Sequence, residues 1–257
     1  MSSLIHPTAQ VHPSARLGVH VSIGAFTIID AQVEIGDHTT VGSHSVITGY
    51  TRIGKDNLIF QSCSIGSAPQ DKKYNNEPTK LEIGDRNTIR EFCSLHCGTI
   101  QEQGITRIGN DNWIMAYVHI AHDCTLGDHI IIANGTQLSG HVIVGDWAVL
   151  GGLTGVHQFV RIGEHSMTGG MTALRSDLPP YVMVNGNPAS ASGINSTGLK
   201  RRGFSQEAIH NLKAAYKTVY CENLNVTEAV ARLSQQNAPE IQPLIDFLKH
   251  KGRGIVR

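Results

Sequence analysis

The segment HIAHDC, residues 119–124, holds the residue types best suited to chemistry in this sequence. His119 and His122 lie three positions apart, and Asp123 follows the second histidine directly. An imidazole titrates near neutral pH and is the most frequent general base, and a neighbouring carboxylate can orient it or stabilise its protonated form. We therefore expect His122 to be a general base with Asp123 as its partner.

This segment lies inside a repeat in which an aliphatic residue recurs every six positions. Eleven successive positions from Ile5 to Ile65 are Ile, Leu or Val, and after two interruptions the same spacing runs from Ile108 to Ile162. A period of six fits neither an α-helix nor a simple hairpin, but it is typical of a hexapeptide β-helix, whose three walls make a coil of about 18 residues. The sequence therefore predicts a mainly β protein with a parallel β-helix domain over residues 1–190.

Two segments interrupt the repeat. Residues 66–80 are polar and take up two repeat units without changing the phase, whereas residues 99–107 shift the phase. Long loops on a rigid scaffold often carry function. We expect both segments to be loop insertions that leave the β-helix at its corners.

Beyond about residue 175 the period of six fades and a helical pattern follows. Ser205 and Thr227 are suitable N-caps for two helices, and residues 240–249 fit a third. The sequence therefore predicts a C-terminal α-helical domain at residues 191–257.

The repeat also predicts which side chains share a file along the β-helix. Steps of three repeat units lead from His122 to Gly140 and then to Gln158, so these residues should lie about 4.8 Å apart in successive coils. His119 and His141 adjoin this file. Gly140 has no side chain, so its backbone N–H is open to an oxyanion beside His122. A base and a bare N–H in adjacent coils are the groups that acyl transfer needs.

Other interpretations of these residues remain open from the spacing alone. Three imidazoles from adjacent coils could hold a zinc ion with an open position, as in hexapeptide carbonic anhydrases. Most of the 14 histidines are expected to be ordinary corner residues, and the pair Cys93 and Cys97 to be structural. A non-enzymatic, ice-binding solenoid would need regular threonine ranks on one wall, which this sequence lacks.

The composition excludes several function classes. Lys plus Arg and Asp plus Glu both number 21, so no general affinity for nucleic acid is expected. The five cysteines include no CxxC pair, which favours free thiols in a reducing cytoplasm. The sequence has no signal-peptide pattern at its start and no apolar run long enough for a transmembrane segment.

With these residues in view, the chain resembles the UDP-N-acetylglucosamine O-acyltransferase family along essentially its whole length. The hexapeptide pattern alone is shared by many acetyltransferases, but its combination with the motif GLKRRGFS at residues 198–205 is highly specific. The motifs that carry the resemblance are QDKKY (70–74), HIAHDC (119–124), SGHV (139–142), GVHQF (155–159), DLPPYV (177–182) and GLKRRGFS (198–205).

The resemblance implies a left-handed β-helix, a homotrimer and active sites in clefts between subunits. It implies that His122 deprotonates the glucosamine 3-hydroxyl of UDP-N-acetylglucosamine. That hydroxyl then attacks the thioester of a 3-hydroxyacyl chain on acyl carrier protein, in the first step of lipid A biosynthesis. No cofactor and no metal are implied.

The resemblance also assigns roles to single residues. Gly140 matches the oxyanion donor, and Gly170 matches the position that stops the acyl chain, where a glycine should admit a long chain of about fourteen carbons. The substrate contacts that it implies are Asp71, Lys73, His119, His141, Gln158, Asn195, Arg201 and Arg202. A basic face formed with Lys213 and Lys217 could receive the acidic acyl carrier protein.

The chain departs from the family pattern at two positions. Thr197 stands where members often carry Glu, and Pro188 stands where some carry His. A related transferase that acylates an amine on the same sugar normally carries an extra N-terminal domain, for which a repeat beginning at Ile5 leaves no room.

Overall fold

The structure is a computed structural model and describes residues 4–250 and 252–257. It is built mostly from very short strands. In chain order they are β1 (Leu4–Ile5), β2 (Gln10–Val11), β3 (Arg16–Leu17), β4 (Ser22–Ile23), β5 (Ile28–Ile29), β6 (Glu34–Ile35), β7 (Thr40–Val41), β8 (Val46–Ile47), β9 (Tyr50–Ile53), β10 (Leu58–Ile59), β11 (Ser64–Ser67), β12 (Lys80–Ile83), β13 (Thr88–Ile89), β14 (Ser94–His96), β15 (Ile105–Ile108), β16 (Trp113–Ile114), β17 (His119–Ile120), β18 (Thr125–Leu126), β19 (Ile131–Ile132), β20 (Gln137–Leu138), β21 (Ile143–Val144), β22 (Val149–Leu150), β23 (Gly155–Val156), β24 (Arg161–Ile162), β25 (Met167–Thr168), β26 (Ala173–Leu174), β27 (Val182–Asn185) and β28 (Ser190–Ile194).

These strands form three parallel sheets, here called wall 1, wall 2 and wall 3. Wall 1 has eleven strands and begins with β1, β4 and β7; wall 2 has nine and begins with β2, β5 and β8; wall 3 has eight and begins with β3, β6 and β9. Successive strands along the chain therefore fall on successive walls, which is the topology of a β-helix. Among the strands of residues 4–250 and 252–257, only the pair β27 and β28 at the end of wall 1 is antiparallel.

The aliphatic residues of the period of six form the core. Ile47, Ile65, Ile120 and Leu138 are completely buried, like their equivalents in most coils. The third residue after each aliphatic position turns the corner and usually has a positive φ, as at His141 with 63°. That left-handed conformation costs a non-glycine residue free energy. Burial of the stacked aliphatic side chains offsets the cost.

Both interruptions leave the β-helix at the same corner. In wall 1, Leu58 pairs with Thr88 and Thr88 with Trp113, so each of these two coils takes up more of the chain than a regular coil does. The extra residues follow β11 and β14, which are wall 2 strands whose chain next enters wall 3. The corner between walls 2 and 3, called corner 2–3 below, therefore carries both insertions.

Four α-helices follow the β-helix. They are α1 (Ser196–Arg201), α2 (Gln206–Tyr220), α3 (Val226–Leu233) and α4 (Gln242–Lys249), and a 3-10 helix at Pro239–Ile241 precedes the last. Ser205 caps α2 as expected, since its side chain accepts from the Ala208 N–H. The expectation for Thr227 was wrong. Asn225 caps α3 instead, because it forms a capping box with Glu228 three residues on.

The helices have a hydrophobic core of their own and return the chain to the end of the β-helix. Leu199, Leu212 and Leu233 are buried in that second core. The C-terminal segment then pairs with the last coil, where the Asp177 N–H donates to Gly254 O and the Val256 N–H to Asp177 O. No helix among the described residues is both long and apolar enough to cross a bilayer.

Candidate active site

His122 lies at corner 2–3, and its ring rests on Gly140 of the next coil. A methyl group built on Gly140 would lie 2.6 Å from Cε1 and 2.7 Å from Nε2 of His122. Only a glycine therefore fits beneath this imidazole. No described residue accepts a hydrogen bond from the Gly140 N–H. The structure thus places the imidazole that the sequence predicts to be a base beside a bare backbone donor.

Asp123 is buried beside His122 and fixed by a loop. Its Oδ2 lies 2.9 Å from His122 Nδ1. Thr99 donates its N–H to both carboxylate oxygens at 3.1 and 3.0 Å, and its hydroxyl to Oδ2 at 2.7 Å. Burial acts to raise the pKa of the Asp123 carboxyl, but the hydrogen bonds from His122 and Thr99 outweigh it, so the pKa lies below its usual value. Asp123 is therefore a carboxylate that holds the His122 ring.

His141 is the second imidazole next to this carboxylate. Its Nδ1 lies 4.0 Å from Asp123 Oδ2, and its ring meets that of His122 edge to face, with centroids 5.0 Å apart. Phe159, one coil further on, stacks on His141 at 4.3 Å with nearly parallel rings. Burial lowers the pKa of His141. The ring is therefore neutral at pH 7 and held in one orientation.

His119 and His96 lie just behind the base. Ser94 Oγ is 2.7 Å from His119 Nδ1, and the rings of His119 and His96 meet edge to face at 4.8 Å. Burial, together with the charges of His119 and His122, lowers the pKa of His96 to about 4. The His96 Nδ1 atom is buried, and no described group is within hydrogen-bonding reach of it.

The first insertion reaches the same corner. Burial lowers the pKa of His141, whereas the carboxylates of Asp123, Glu102 and Asp71 act to raise it. The Asp71 side chain also accepts from the Lys73 N–H at 2.9 Å, and the Lys73 side chain is exposed.

A cavity of about 430 Å³ opens at corner 2–3. It is lined by Asp123, His141 and Phe159 together with wall 3 and the C-terminal segment. Gln158 is exposed one coil beyond Gly140. Of the predicted site residues, Asp123 and His141 line this opening, next to Glu102 and Gln103 of the second insertion.

The remaining site residues predicted from the sequence lie at other corners of the same chain. Gly170 is between β25 and β26, at the corner between walls 1 and 2, with only Gly152 O near its missing side chain. Arg202 lies at the corner between walls 3 and 1, where it donates to Trp147 O at 2.9 Å and lies 3.2 Å from His165 Nδ1. A single chain therefore does not bring these residues to His122.

Three of the substrate contacts that the resemblance implies, Asn195, Arg201 and Arg202, differ in how free their side chains are. Asn195 is buried, accepts from the Gly198 N–H as the cap of α1, and donates to His165 O. Arg202 is half-buried and also lies over the Trp147 ring at 5.3 Å. Arg201, in contrast, is exposed. Of the three, Arg201 has the side chain most available to a ligand.

The sequence-based prediction missed four residues of the site. Phe159 lies one regular coil beyond His141, so the repeat could have identified it. His96 and Ser94 lie in β14, one coil before β17, but the second insertion makes that step longer than a regular coil. Thr99 belongs to the insertion itself. No periodic signal could have placed it against Asp123.

Comparisons with known proteins point to one family. A profile described as UDP N-acetylglucosamine O-acyltransferase, domain 2, matches residues 177–256, and one for bacterial transferase hexapeptide repeats matches 14–49 and 105–140. The chain is 57% identical to the acyl-[acyl-carrier-protein]–UDP-N-acetylglucosamine O-acyltransferase of Thiobacillus denitrificans, over 98% of this chain and 99% of that protein. It is 56% identical to the enzyme of that name from Herminiimonas arsenicoxydans, over 99% and 100%.

Solved structures give the same result. LpxA from Acinetobacter baumannii superimposes with a TM-score of 0.97 at 47% identity, covering 99% of this chain and 100% of that one. UDP-N-acetylglucosamine O-acyltransferase from Moraxella catarrhalis gives 0.97 at 46% identity, over 98% and 99%. The fold is a left-handed parallel β-helix with a C-terminal helical region. With such identity along nearly its whole length, the chain belongs to the UDP-N-acetylglucosamine O-acyltransferase family.

Proposed function

We propose that this chain transfers an acyl group from acyl carrier protein to a hydroxyl of UDP-N-acetylglucosamine, the donor and acceptor that its relatives' names state. The observation that carries the proposal is the contact of the His122 ring with Gly140, beside the buried Asp123 carboxylate. A base, an orienting carboxylate and a free backbone donor are together sufficient for acyl transfer.

The reaction follows from this arrangement. Asp123 accepts a hydrogen bond from His122 Nδ1, which leaves the Nε2 lone pair free to take the proton of the sugar hydroxyl. The hydroxyl oxygen attacks the thioester carbonyl, and the Gly140 N–H donates to the oxyanion of the tetrahedral intermediate. When the intermediate collapses, the C–S bond breaks and His122 returns the proton to the leaving thiolate. Asp123 stabilises the imidazolium between these two steps.

The finer assignments rest on the family resemblance. The acceptor is the 3-hydroxyl of the glucosamine, the donor carries a 3-hydroxyacyl chain, and the product enters lipid A biosynthesis as its first acylated intermediate. Asp71, Lys73, His119, His141 and Gln158 contact the substrates around corner 2–3. Their positions, on the first insertion and on three successive coils beside corner 2–3, support this part of the proposal.

Gly170, Asn195, Arg201 and Arg202 require a second copy of the chain. In one copy they lie at corners away from His122, so a shared cleft is possible only where another copy presents such a corner to corner 2–3. Tyr117, Leu153 and Met171 are 60%, 64% and 71% exposed along the corner between walls 1 and 2. This apolar edge supports the proposed homotrimer. The five unpaired cysteines support a cytoplasmic location.

The carbonic anhydrase interpretation is not supported. The full-length relatives bear acyltransferase names. Among the described residues, the only potential metal-ligand cluster holds two imidazoles and a carboxylate, not three imidazoles. We propose no such activity.

The test of the function is an assay of acyl transfer from acyl carrier protein to UDP-N-acetylglucosamine, read by mass spectrometry. His122→Ala should lower turnover by about 100- to 10,000-fold, the contribution of a general base. His129→Ala is the matched control, because His129 stacks on Trp147 at another corner. Turnover of the His122 variant within threefold of the wild type would exclude His122 as the base.

A further inference from the structure

We propose that His122, Asp123 and His141 bind a divalent transition-metal ion such as Zn²⁺, and that the bound ion inhibits acyl transfer. These three side chains are the only described group of three or more His, Cys, Asp or Glu residues positioned for a common ion. The binding site is inferred from the positions of these side chains alone and does not depend on the proposed function. The inhibition rests on the proposed function, in which His122 is the base.

The ligand atoms already have suitable separations. Asp123 Oδ2 lies 2.9 Å from His122 Nδ1 and 4.0 Å from His141 Nδ1, and all three ligand atoms lie within 4.8 Å of one another. Zinc binds imidazole nitrogen and carboxylate oxygen at about 2.0–2.2 Å, so tetrahedral ligand atoms are about 3.4 Å apart. The two distances to Oδ2 lie on either side of that value. The two imidazole nitrogens, which lie within 4.8 Å of each other, must approach to about the same separation to complete the site.

Each ligand is held by a residue outside the group, as in established metal sites. Thr99 fixes the Asp123 carboxylate through three hydrogen bonds. Phe159 stacks on the His141 ring, and Gly140 supports the His122 ring. A neutral imidazole is the form that binds a metal.

An ion can reach these atoms. Asp123 and His141 line the cavity of about 430 Å³ at corner 2–3, which leaves space for a water or another fourth ligand. Two imidazoles, one carboxylate and an open position form a common donor set for Zn²⁺ and other first-row ions.

The same geometry explains why the ion inhibits. In the catalytic form the His122 proton is on Nδ1, facing Asp123, and the Nε2 lone pair is the base. An ion on Nδ1 displaces that proton, and a neutral ring must then carry its proton on Nε2. The base therefore loses its lone pair, and Asp123 can no longer stabilise an imidazolium. No bond of the substrates is involved.

Binding is tested with the intact, metal-free protein and Co²⁺ alone, followed by competition with Zn²⁺. Co²⁺ in a site of four ligands absorbs visible light much more strongly than six-coordinate Co²⁺, so the spectrum separates this site from exposed histidines. We expect one strongly absorbing Co²⁺ per chain, displaced by one equivalent of Zn²⁺. Weak, six-coordinate absorption alone would overturn the proposal.

Two ligand variants and one control locate the ion. Loss of an outer-shell partner costs about 10- to 100-fold in metal affinity, so His141→Ala and Asp123→Asn should each weaken binding by at least about tenfold. His129→Ala should bind like the wild type. Thermal melts verify that each variant is folded, and either ligand variant alone decides the question. Wild-type affinity in a folded ligand variant would place the ion elsewhere.

Inhibition is measured separately, in the acyl-transfer assay with the wild type. Zn²⁺ should abolish turnover over the concentration range in which it displaces Co²⁺, and a chelator should restore it. Stoichiometric binding with unchanged turnover would refute the inhibition but leave the site. A metal-free wild type with no transferase activity would instead refute the proposed function, while the Co²⁺ spectra would still decide the metal site.

Discussion

At the scale of residues, the active site depends on the absence of one side chain. Position 140 does not require glycine for its backbone conformation, since the φ angle of Gly140 is not positive. It needs glycine because the His122 ring occupies the space of a Cβ atom. Gly140 therefore fixes where the proposed base, His122, lies, and it also leaves its own N–H exposed.

We therefore expect Gly140→Ala to lower turnover by about 100-fold, the effect of a misplacement of roughly 1 Å in a catalytic group. The new methyl group would lie 2.6 Å from the His122 ring and must displace it. Gly155→Ala on the same wall is the control, because no atom lies within 4 Å of the place that its methyl group would take. Equal turnover in both variants, measured at saturating substrate, would contradict this account of Gly140.

At the scale of elements, one buried ion pair fastens the C-terminal segment to the last coil. Asp177 is 1% exposed and accepts from the Arg161 N–H, Nε and NH2 groups at 2.9, 2.9 and 2.7 Å. The Arg161 guanidinium also donates to His250 O and lies over the Phe247 ring. The helices thus close the open end of the β-helix. Whether residues 191–257 form a separate domain stays a prediction.

Arg161→Ala should destabilise the protein by about 3 kcal/mol, because it leaves the buried Asp177 carboxylate without its partner. Arg16→Ala is the control. Its ion pair with Glu34 is 80% and 44% exposed, and such pairs contribute about 0–1 kcal/mol. Urea unfolding followed by circular dichroism measures both changes. A loss below about 1 kcal/mol in Arg161→Ala would show that the pair does not fasten the segment.

At the scale of the whole molecule, buried histidines make the fold sensitive to acid. Burial, with a smaller contribution from Arg202, lowers the pKa of His165 to about 4, and burial likewise lowers that of His96 to about 4. An unfolded imidazole titrates near about 6.5. Between these two values the unfolded chain binds more protons than the folded chain. Stability is therefore complete above about pH 6.5 and is lost as the pH falls towards about 4.

The melting temperature should accordingly fall by at least about 4 °C between pH 7.5 and pH 5. In a protein of this size, each 1 kcal/mol lost from the free energy of unfolding lowers the melting temperature by roughly 2–4 °C. His165→Gln removes one of the two strongly shifted imidazoles, lies outside corner 2–3 and should show a smaller fall. Calorimetry at both pH values measures the difference. Equal falls in the variant and the wild type would assign the acid sensitivity to other groups.

The length of the acyl chain is also a prediction at this scale, because in the proposed function Gly170 acts from a second copy. A Cβ atom at Gly170 would meet only Gly152 O, at 3.5 Å, so a side chain can begin there without a backbone clash. We expect the wild type to prefer long chains and Gly170→Met to prefer chains about four carbons shorter, since each buried methylene contributes about 0.8 kcal/mol. Competition between two acyl carrier protein thioesters, resolved by mass, gives the preference. An unchanged preference at normal activity would place the stop elsewhere, with Met171 the next residue to vary.

The sequence by itself determined the coil and the main residues of corner 2–3. Where the repeat is unbroken, three repeat units along the chain equal one strand spacing along the β-helix, so a step in sequence is a known step in space. That is why His122, Gly140 and His141 could be assigned to one patch from the spacing alone. The period does not determine the hand of the coil, which the family resemblance implied.

Only the tertiary structure decided the contacts that the repeat does not govern. Thr99 reaches Asp123 from an insertion with no fixed register, and Asp177 meets the C-terminal segment, far along the chain, at Gly254 and Val256. In the structure Asn195 is buried, and Gly170 lies at a different corner from His122. Such contacts join segments without a common period. They are fixed by packing and hydrogen bonding once the chain has closed on itself, and no spacing along the sequence encodes them.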